Sequence, residues 1–487
     1  MAPLDFNDAF ARYEAGERES LLPGLGASVG AATPDARLWH LHGLILRELE
    51  RYSEALPSLR RAAQLAPGSV KIAHALARAA YEAGLPSVEA YGQTLRLSPG
   101  DPDLVLGLVA ALAAEGRIGD AIAGLERSLS LTPHWIQGHE TLANLRWTEG
   151  EREGFARSFD EALATTPGNV DLRRKQIITL IHAEQWDESL AAIAAGRTAL
   201  GDDPMFDANE AAVYSETGEP ERAQPIFEGL ADFPDATVQL RHVRNLLRLR
   251  RASDASMLID AWLPSPTAFL FWPYASIAWR MTSDPRFEWL EGDPRFVGVY
   301  DIADRLPPLD KLAETLRRLH TMRGEHLDQS VRGGTQTDGN LFYRVDPVIA
   351  QVREAICATV AEHVAQLPSA DERHPLLAPP RDRPIRFAGA WSVRLSGGGY
   401  HANHVHPYGW ISSALYVVLP PEIGEGEAGF LTLGEPQAQL KMDLMPTGLV
   451  EPKPGRLVLF PSWMWHGTRP FGAGERMTIA FDVAFPR

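Results

Sequence analysis

Four prolines recur at a nearly constant interval: Pro67, Pro99, Pro133 and Pro167 stand 32, 34 and 34 residues apart. A chain with such a period builds one supersecondary unit per repeat and buries each unit's apolar face against its neighbours. Up to about residue 235 the sequence is rich in Ala, Leu, Arg and Glu, with helix-period apolar residues broken every fifteen or so positions by Gly or Pro. One helix pair per interval follows. Internal positions recur as well: Trp39, Gly43, Ala55, Leu59 and Ala62 before Pro67, then Ala121 and Leu125 before Pro133. Ala143, Phe159 and Ala162 precede Pro167, and Ala211, Ala223 and Phe227 stand at matching offsets further on. Small residues let two helices approach, larger ones fill the space between them, and the proline ends the second helix.

These residues resemble the tetratricopeptide (TPR) pattern, over roughly five to six units between residues 34 and 235. The resemblance implies an α-solenoid whose groove suits an extended peptide or a partner helix. His40, His42, His74, His139 and His182 fall within the helical repeats and are expected to be structural.

Beyond the repeats the composition changes. From 236 to 304 Trp262, Trp272, Trp279 and Trp289 crowd together with Pro264, Pro266, Pro273, Pro285 and Pro294, as suits a rigid, well-packed bridge. Leu312, Leu316 and Leu319 mark one face of a short helix over 309–320. Asp346-Pro347 opens a longer helix with Val348, Val352, Ile356, Val360 and Val364 at four-residue steps, expected to cover a sheet. After about residue 384 alternation predicts strands over 386–395, 412–419, 429–433, 456–460 and 476–485, with Gly397-Gly398-Gly399 as a turn. The expected architecture is α+β and multidomain: a solenoid over 1–235, a bridge over 236–304, and a jelly-roll domain with flanking helices over 305–487.

Charge and cysteine narrow the chemistry. With 47 basic and 63 acidic residues the net charge is −16, and no region concentrates Lys and Arg, so nucleic acid is not an expected partner. No run approaches membrane-spanning length, and Met1 to Ser20 carries acidic residues where a signal peptide needs an apolar stretch, which predicts a cytoplasmic location. The single cysteine, Cys357, excludes an internal disulfide or a cysteine-based zinc site, leaving histidine for metal chemistry.

The informative histidines lie in the β region. His404 and His406, one residue apart after a strand, project to the same face of an extended backbone and can converge on one ion. Sixty residues on, Pro461 halts a strand and His466 follows, so a third imidazole is available from a neighbouring strand end. Three such donors on one face of an ion leave the opposite face open. On the last strand Met477, Ile479, Phe481 and Val483 face the core, while Arg476, Thr478, Ala480 and Asp482 line something polar. The Arg476 fork and the Thr478 hydroxyl together suit a carboxylate. His401, at an odd offset from His404, is expected on the opposite face as a support or substrate contact. Trp463 and Trp465 read as packing residues, and Trp391 as either packing or site.

The paired histidines, the distal histidine and an arginine ten residues beyond it resemble the Fe(II)- and 2-oxoglutarate-dependent oxygenases of the double-stranded β-helix fold, prolyl-hydroxylase-like branch. Gln329 to Thr337, His404-Val405-His406-Pro407 and Leu459-Phe460-Pro461-Ser462-Trp463 are similar to a bacterial and phage subgroup of these enzymes. The resemblance implies that His404, His406 and His466 bind Fe(II). It also implies that Arg476 and Thr478, with Tyr416 in support, hold the distal carboxylate of 2-oxoglutarate. The usual element is His-x-Asp; here His406 stands at the acidic position, with Asp482 or another acid as an alternative source of a carboxylate.

By that resemblance the expected activity is 2-oxoglutarate- and dioxygen-dependent hydroxylation of a protein or peptide substrate delivered by the repeats. The alternatives are a zinc-dependent three-histidine hydrolase of cupin-like type, and a non-enzymatic TPR adaptor carrying an inactive oxygenase fold.

Overall fold

The computed structural model describes residues 4–30, 33–321, 324, 327, 329–421, 423 and 425–486, so the first three residues of the segment weighed as a signal peptide lie outside the described residues. Contacts divide the chain into two compact units, Met1–Leu131 with Asp338–Arg353, and Thr132–Thr337 with Glu354–Arg487.

The first unit holds helix pairs Phe6–Glu14 with Arg18–Ser28, Ala36–Glu48 with Tyr52–Leu65, Val70–Glu82 with Val88–Leu97, and Pro102–Ala114 with Ile118–Leu131. The second holds Ile136–Thr148 with Arg157–Thr165, Val170–His182 with Trp186–Leu200, Pro204–Glu216 with Pro220–Gly229, and Ala236–Arg248 with Ala252–Trp262. Pro67, Pro99, Pro133 and Pro167 each stand two residues past the end of a helix, at Leu65, Leu97, Leu131 and Thr165, where a residue without an N–H ends the ladder. Ala55, Leu59, Ala62, Ala121, Leu125, Phe159, Ala162, Ala223 and Phe227 are all buried, as their recurrence requires. A Cβ on Gly43 would sit 2.6 Å from Leu59 Cγ, which explains the small residue there.

A second period lies in the turns inside the pairs. Gly16, Glu50, Gly84, Gly116, Gly150, Glu184, Gly218 and Arg250 all have φ between +56° and +96°, at steps of 32 or 34 residues. The next residue closes each turn onto the preceding helix, as Arg51 N–H does to Leu46 O and Arg117 N–H to Leu112 O, both at 2.8 Å. The same turn therefore recurs at Arg250, one helix pair past residue 235.

Among the described residues the β region has nine strands: β1 (Gly298–Asp301), β2 (Val331–Gln336), β3 (Phe387–His401), β4 (Ile411–Val418), β5 (Leu431–Leu433), β6 (Gly448–Val450), β7 (Arg456–Pro461), β8 (His466–Thr468) and β9 (Arg476–Val483). They form a six-stranded sheet in the order β1-β7-β4-β9-β3-β2 and a three-stranded sheet in the order β6-β5-β8. Every ladder among the described residues is antiparallel. Tyr416, Val458 and Phe460 of the larger sheet pack with Leu431 and Leu433 of the smaller one, giving the two-layer jelly roll. On the other face helix Leu309–Arg317 packs on β4 and buries Leu312 and Leu316. The valine and isoleucine stripe of helix Pro347–Gln366 is buried, and His363 near its end meets Tyr300 Oη of edge strand β1 at 3.0 Å.

The triple glycine differs from expectation. It is not a corner between strands: β3 runs through it to His401, and Ser396 to Gly399 loop out opposite the single residue Gly333. A Cβ on Gly399 would meet three backbone oxygens within 3.1 Å, so only glycine fits this bulge. No described helix is long and apolar enough to cross a membrane.

Candidate metal centre

Past His401 the chain turns and re-enters the smaller sheet's edge. His404 N–H donates to His466 O at 2.9 Å and His466 N–H to His404 O at 3.0 Å, a two-residue bridge that fixes the two side chains together. His406 N–H donates to Ser462 O at 2.8 Å, in the turn that Pro461 creates after β7. The three rings converge, with centroids 4.2 Å apart for His404 and His466, 4.9 Å for His404 and His406, and 5.1 Å for His406 and His466. One ring nitrogen from each lies within 4.8 Å of the others, the distance scale of shared coordination.

Hydrogen bonds set the tautomers. His404 Nδ1 lies 2.8 Å from Ala402 O and His466 Nδ1 lies 2.9 Å from Met464 O. A carbonyl only accepts, so both Nδ1 atoms carry the proton and both Nε2 lone pairs are left for an ion. Burial, and then the neighbouring imidazoles, hold His404 and His466 well below the ordinary histidine range, so both are neutral donors. The donor set fits a divalent first-row ion such as Fe(II) or Zn(II).

His406 differs in its partner. Its Nδ1 lies 2.6 Å from Asp482 Oδ2, while Asp482 Oδ1 accepts from Ser412 Oγ at 2.5 Å. Burial works against charge on His406, but the adjacent carboxylate outweighs it and raises its pKa. Asp482, weighed from sequence as a substitute ligand, is thus engaged behind His406. Trp391 stacks on the same ring, at 5.5 Å and 10° between planes.

At the other end of β9, Arg476 is 1% exposed. Its Nε and Nη1 have no hydrogen-bond partner among the described residues. A buried cation left this way costs several kcal/mol (~3–5 where partners are removed), so the position calls for an anion. Thr478 lines the same cavity as Arg476 and the three histidines, a space of about 870 Å³. Tyr416 stands behind it, its ring 5.3 Å from the Arg476 guanidinium and its buried hydroxyl without a partner among the described residues.

Residues 389–482 match the family model "Putative 2OG-Fe(II) oxygenase". The matched stretch runs from β3 to β9 and takes in His404, His406, Tyr416, His466, Arg476 and Thr478. No curated relative matches the chain. Among solved structures, the chain is similar to MamA from Desulfovibrio magneticus RS-1, at 15% identity over 35% of this chain and 99% of that one, with a TM-score of 0.31. It is also similar to a tetratricopeptide repeat protein from Parabacteroides merdae ATCC 43184, at 16% identity over 49% of this chain and 95% of that one, with a TM-score of 0.32.

The cavity of the oxygenase-family domain holds residues that sequence spacing does not bring together. His401 enters it, against the strand-parity expectation, because strand β3 ends there and the backbone bends at Asn403; its Nδ1 lies 3.3 Å from Ser330 Oγ. Burial pushes His401 down to about 3, so it is neutral too. Ser330 Oγ also lies 3.2 Å from His404 Nε2. Gln329, Arg332 and Gln336 line the cavity from the β2 segment. A helical wall completes it, with Trp147, Arg244 and Tyr274, and with His182, expected to be structural. Trp463 is buried, whereas Trp465 both packs, through its indole N–H to Pro273 O at 2.9 Å, and lines the cavity.

Proposed function

We propose that this protein is an Fe(II)- and 2-oxoglutarate-dependent dioxygenase that hydroxylates a protein or peptide substrate recruited by its helical repeats. In this reading His404, His406 and His466 hold the iron through Nε2. Arg476 and Thr478 hold the distal carboxylate of 2-oxoglutarate, with the Tyr416 hydroxyl in support. The solenoid, bridge and catalytic domain are taken as 1–235, 236–304 and 305–487.

Iron, 2-oxoglutarate and dioxygen together supply oxidative decarboxylation to succinate and carbon dioxide, coupled to insertion of one oxygen atom into a C–H bond. The chain's own groups orient and exclude. The Ala402 and Met464 carbonyls and the Asp482 carboxylate fix the ring tautomers. Trp391 holds the plane of His406 by stacking, and Ser330 caps His404 Nε2 until an ion takes its place.

The observation that carries this reading is the buried Arg476 guanidinium, which has Tyr416 beside it but no carboxylate partner among the described residues and two nitrogens left without a hydrogen bond there, in the same cavity as the three imidazoles. A zinc hydrolase would use the same histidines but has no role for that guanidinium, and an inactive adaptor has none for either. The single cysteine is in keeping with the cytoplasm as the proposed compartment. The test is product analysis: peptides captured by the full chain, incubated with Fe(II), ascorbate and 2-oxoglutarate, should gain the mass of one oxygen atom. Captured peptides that never gain it, under conditions that consume 2-oxoglutarate, would contradict a peptide substrate.

A further inference from the structure

Arg241, Arg244 and Arg248 lie on one face of helix Ala236–Arg248, three and four residues apart. Among the described residues one carboxylate pairs with them. Glu216 accepts from Arg244 Nη2 at 2.6 Å and Nε at 3.1 Å, and from Arg248 Nη2. Arg248 is spent further on Ser215 Oγ at 2.8 Å and Gln439 O at 3.0 Å, and Arg241 Nη1 donates to Asn209 Oδ1 at 2.9 Å. Three cations against Glu216 and, facing Arg241, the Asp235 carboxylate leave positive charge in excess, in a chain whose net charge is −16.

Arg244 is the member of this cluster that lines the catalytic cavity. Its Nη1 donates to Tyr274 Oη at 2.8 Å, and the Tyr274 ring meets Trp465, the residue before His466, edge to face at 5.6 Å. The remaining edge of the fork, Nη1 with Nη2, faces the side-chain amide of Gln437; with that amide oriented oxygen-first, the orientation that satisfies both groups, the oxygen accepts from each nitrogen at 2.7 Å. Gln437 also lines the cavity. Two parallel N–H groups of a guanidinium match a carboxylate, with stronger, charge-assisted bonds than an amide oxygen can offer. A neutral side chain therefore holds a place shaped for an anion.

We propose that Arg244 is a second anion receptor in the catalytic cavity, and that the substrate peptide carries a carboxylate which displaces Gln437 from it. The inference rests on the reading of this cavity as a peptide-oxidising site. It names the substrate class, a peptide with an acidic group beside the residue to be oxidised. An Asp or Glu side chain and a C-terminal carboxylate supply the same chemistry.

The test is equilibrium binding of fluorescein-labelled synthetic peptides to the full chain, without iron or 2-oxoglutarate. The peptides share one uncharged sequence and carry a central Glu or Gln, and a free or amidated C-terminus. Wild type should prefer a carboxylate by about tenfold or more, the scale of a charged hydrogen-bonded pair. Loss on Glu-to-Gln exchange assigns a side chain, and loss on amidation assigns the terminus. Gln437→Glu, which supplies the fork with a tethered carboxylate and leaves Arg476 untouched, should abolish the preference while melting at or above the wild-type temperature. Equal binding of all four peptides by wild type, or a preference that survives Gln437→Glu, would overturn the proposal. Because no turnover is involved, either result leaves the oxygenase reading to be judged by succinate release.

Discussion

Asp482 Oδ2 stands 2.6 Å from His406 Nδ1, which engages that nitrogen and leaves Nε2 as the ring's lone-pair donor. The carboxylate missing from the His-x-His element is therefore present one layer further out. It orients the ring and strengthens its Nε2 as a donor. Asp482→Ala should weaken binding of Co(II) or Mn(II) to the purified protein by about ten- to a hundredfold. Asp482→Asn, which keeps an acceptor but loses the charge, should lie between. Unaltered metal affinity in Asp482→Ala would show that the contact plays no part in metal binding.

The buried Arg476 guanidinium makes two measurements diverge. Arg476→Gln should weaken 2-oxoglutarate binding by ~1.5–3 kcal/mol, about ten- to a hundredfold. It should not lower the melting temperature, because a buried cation with no carboxylate partner among the described residues is replaced by a neutral group. Unchanged affinity for 2-oxoglutarate, measured anaerobically with Mn(II), would remove Arg476 from the site.

Glu291 gives the fold a pH dependence. Its carboxylate oxygens are buried, and burial, only partly offset by Ser276, Arg280 and Trp463, pushes its pKa from 4.5 up to about 7. The folded chain thus holds this proton more tightly than the unfolded chain does. The contribution is complete below about pH 4.5 and is lost as pH rises through about 7. Glu291→Gln should therefore raise stability at pH ~8 by about 2–3 kcal/mol and change it little at pH ~4. Urea unfolding at the two pH values checks this, and parallel pH profiles for variant and wild type would contradict it.

The left-handed turns can be tested in opposite directions. Gly116 has φ +76° with nothing near its absent Cβ, so Gly116→Ala should cost about 1 kcal/mol through backbone strain alone. Ser283, exposed at φ +55°, should gain about the same from Ser283→Gly. Melting temperatures moving the same way in both variants would contradict the account.

The repeats were legible because prolines mark the helix ends, and the histidine cluster because His404, His406 and His466 fall at strand ends that Pro407 and Pro461 announce. The turn period was hidden, since Glu50, Glu184 and Arg250 occupy positions where a reader looks for glycine. Strands β6 and β8 have three residues each, too few to show alternation, whereas β5 falls inside the strand expected over 429–433. The place of Asp482 depends on the register of β4 and β9, which sets it opposite Ser412. His401 misled because parity holds only while the backbone stays extended. Arg244 and Tyr274 lie more than a hundred residues before the histidines they accompany, and nothing periodic connects them.

The most direct measurement is succinate release by the purified full chain supplied with Fe(II), ascorbate, 2-oxoglutarate and dioxygen. The account predicts succinate from the wild type, at least in slow uncoupled turnover, and none from His466→Ala. A protein that neither binds nor consumes 2-oxoglutarate while retaining zinc at the three histidines would contradict it and favour hydrolysis.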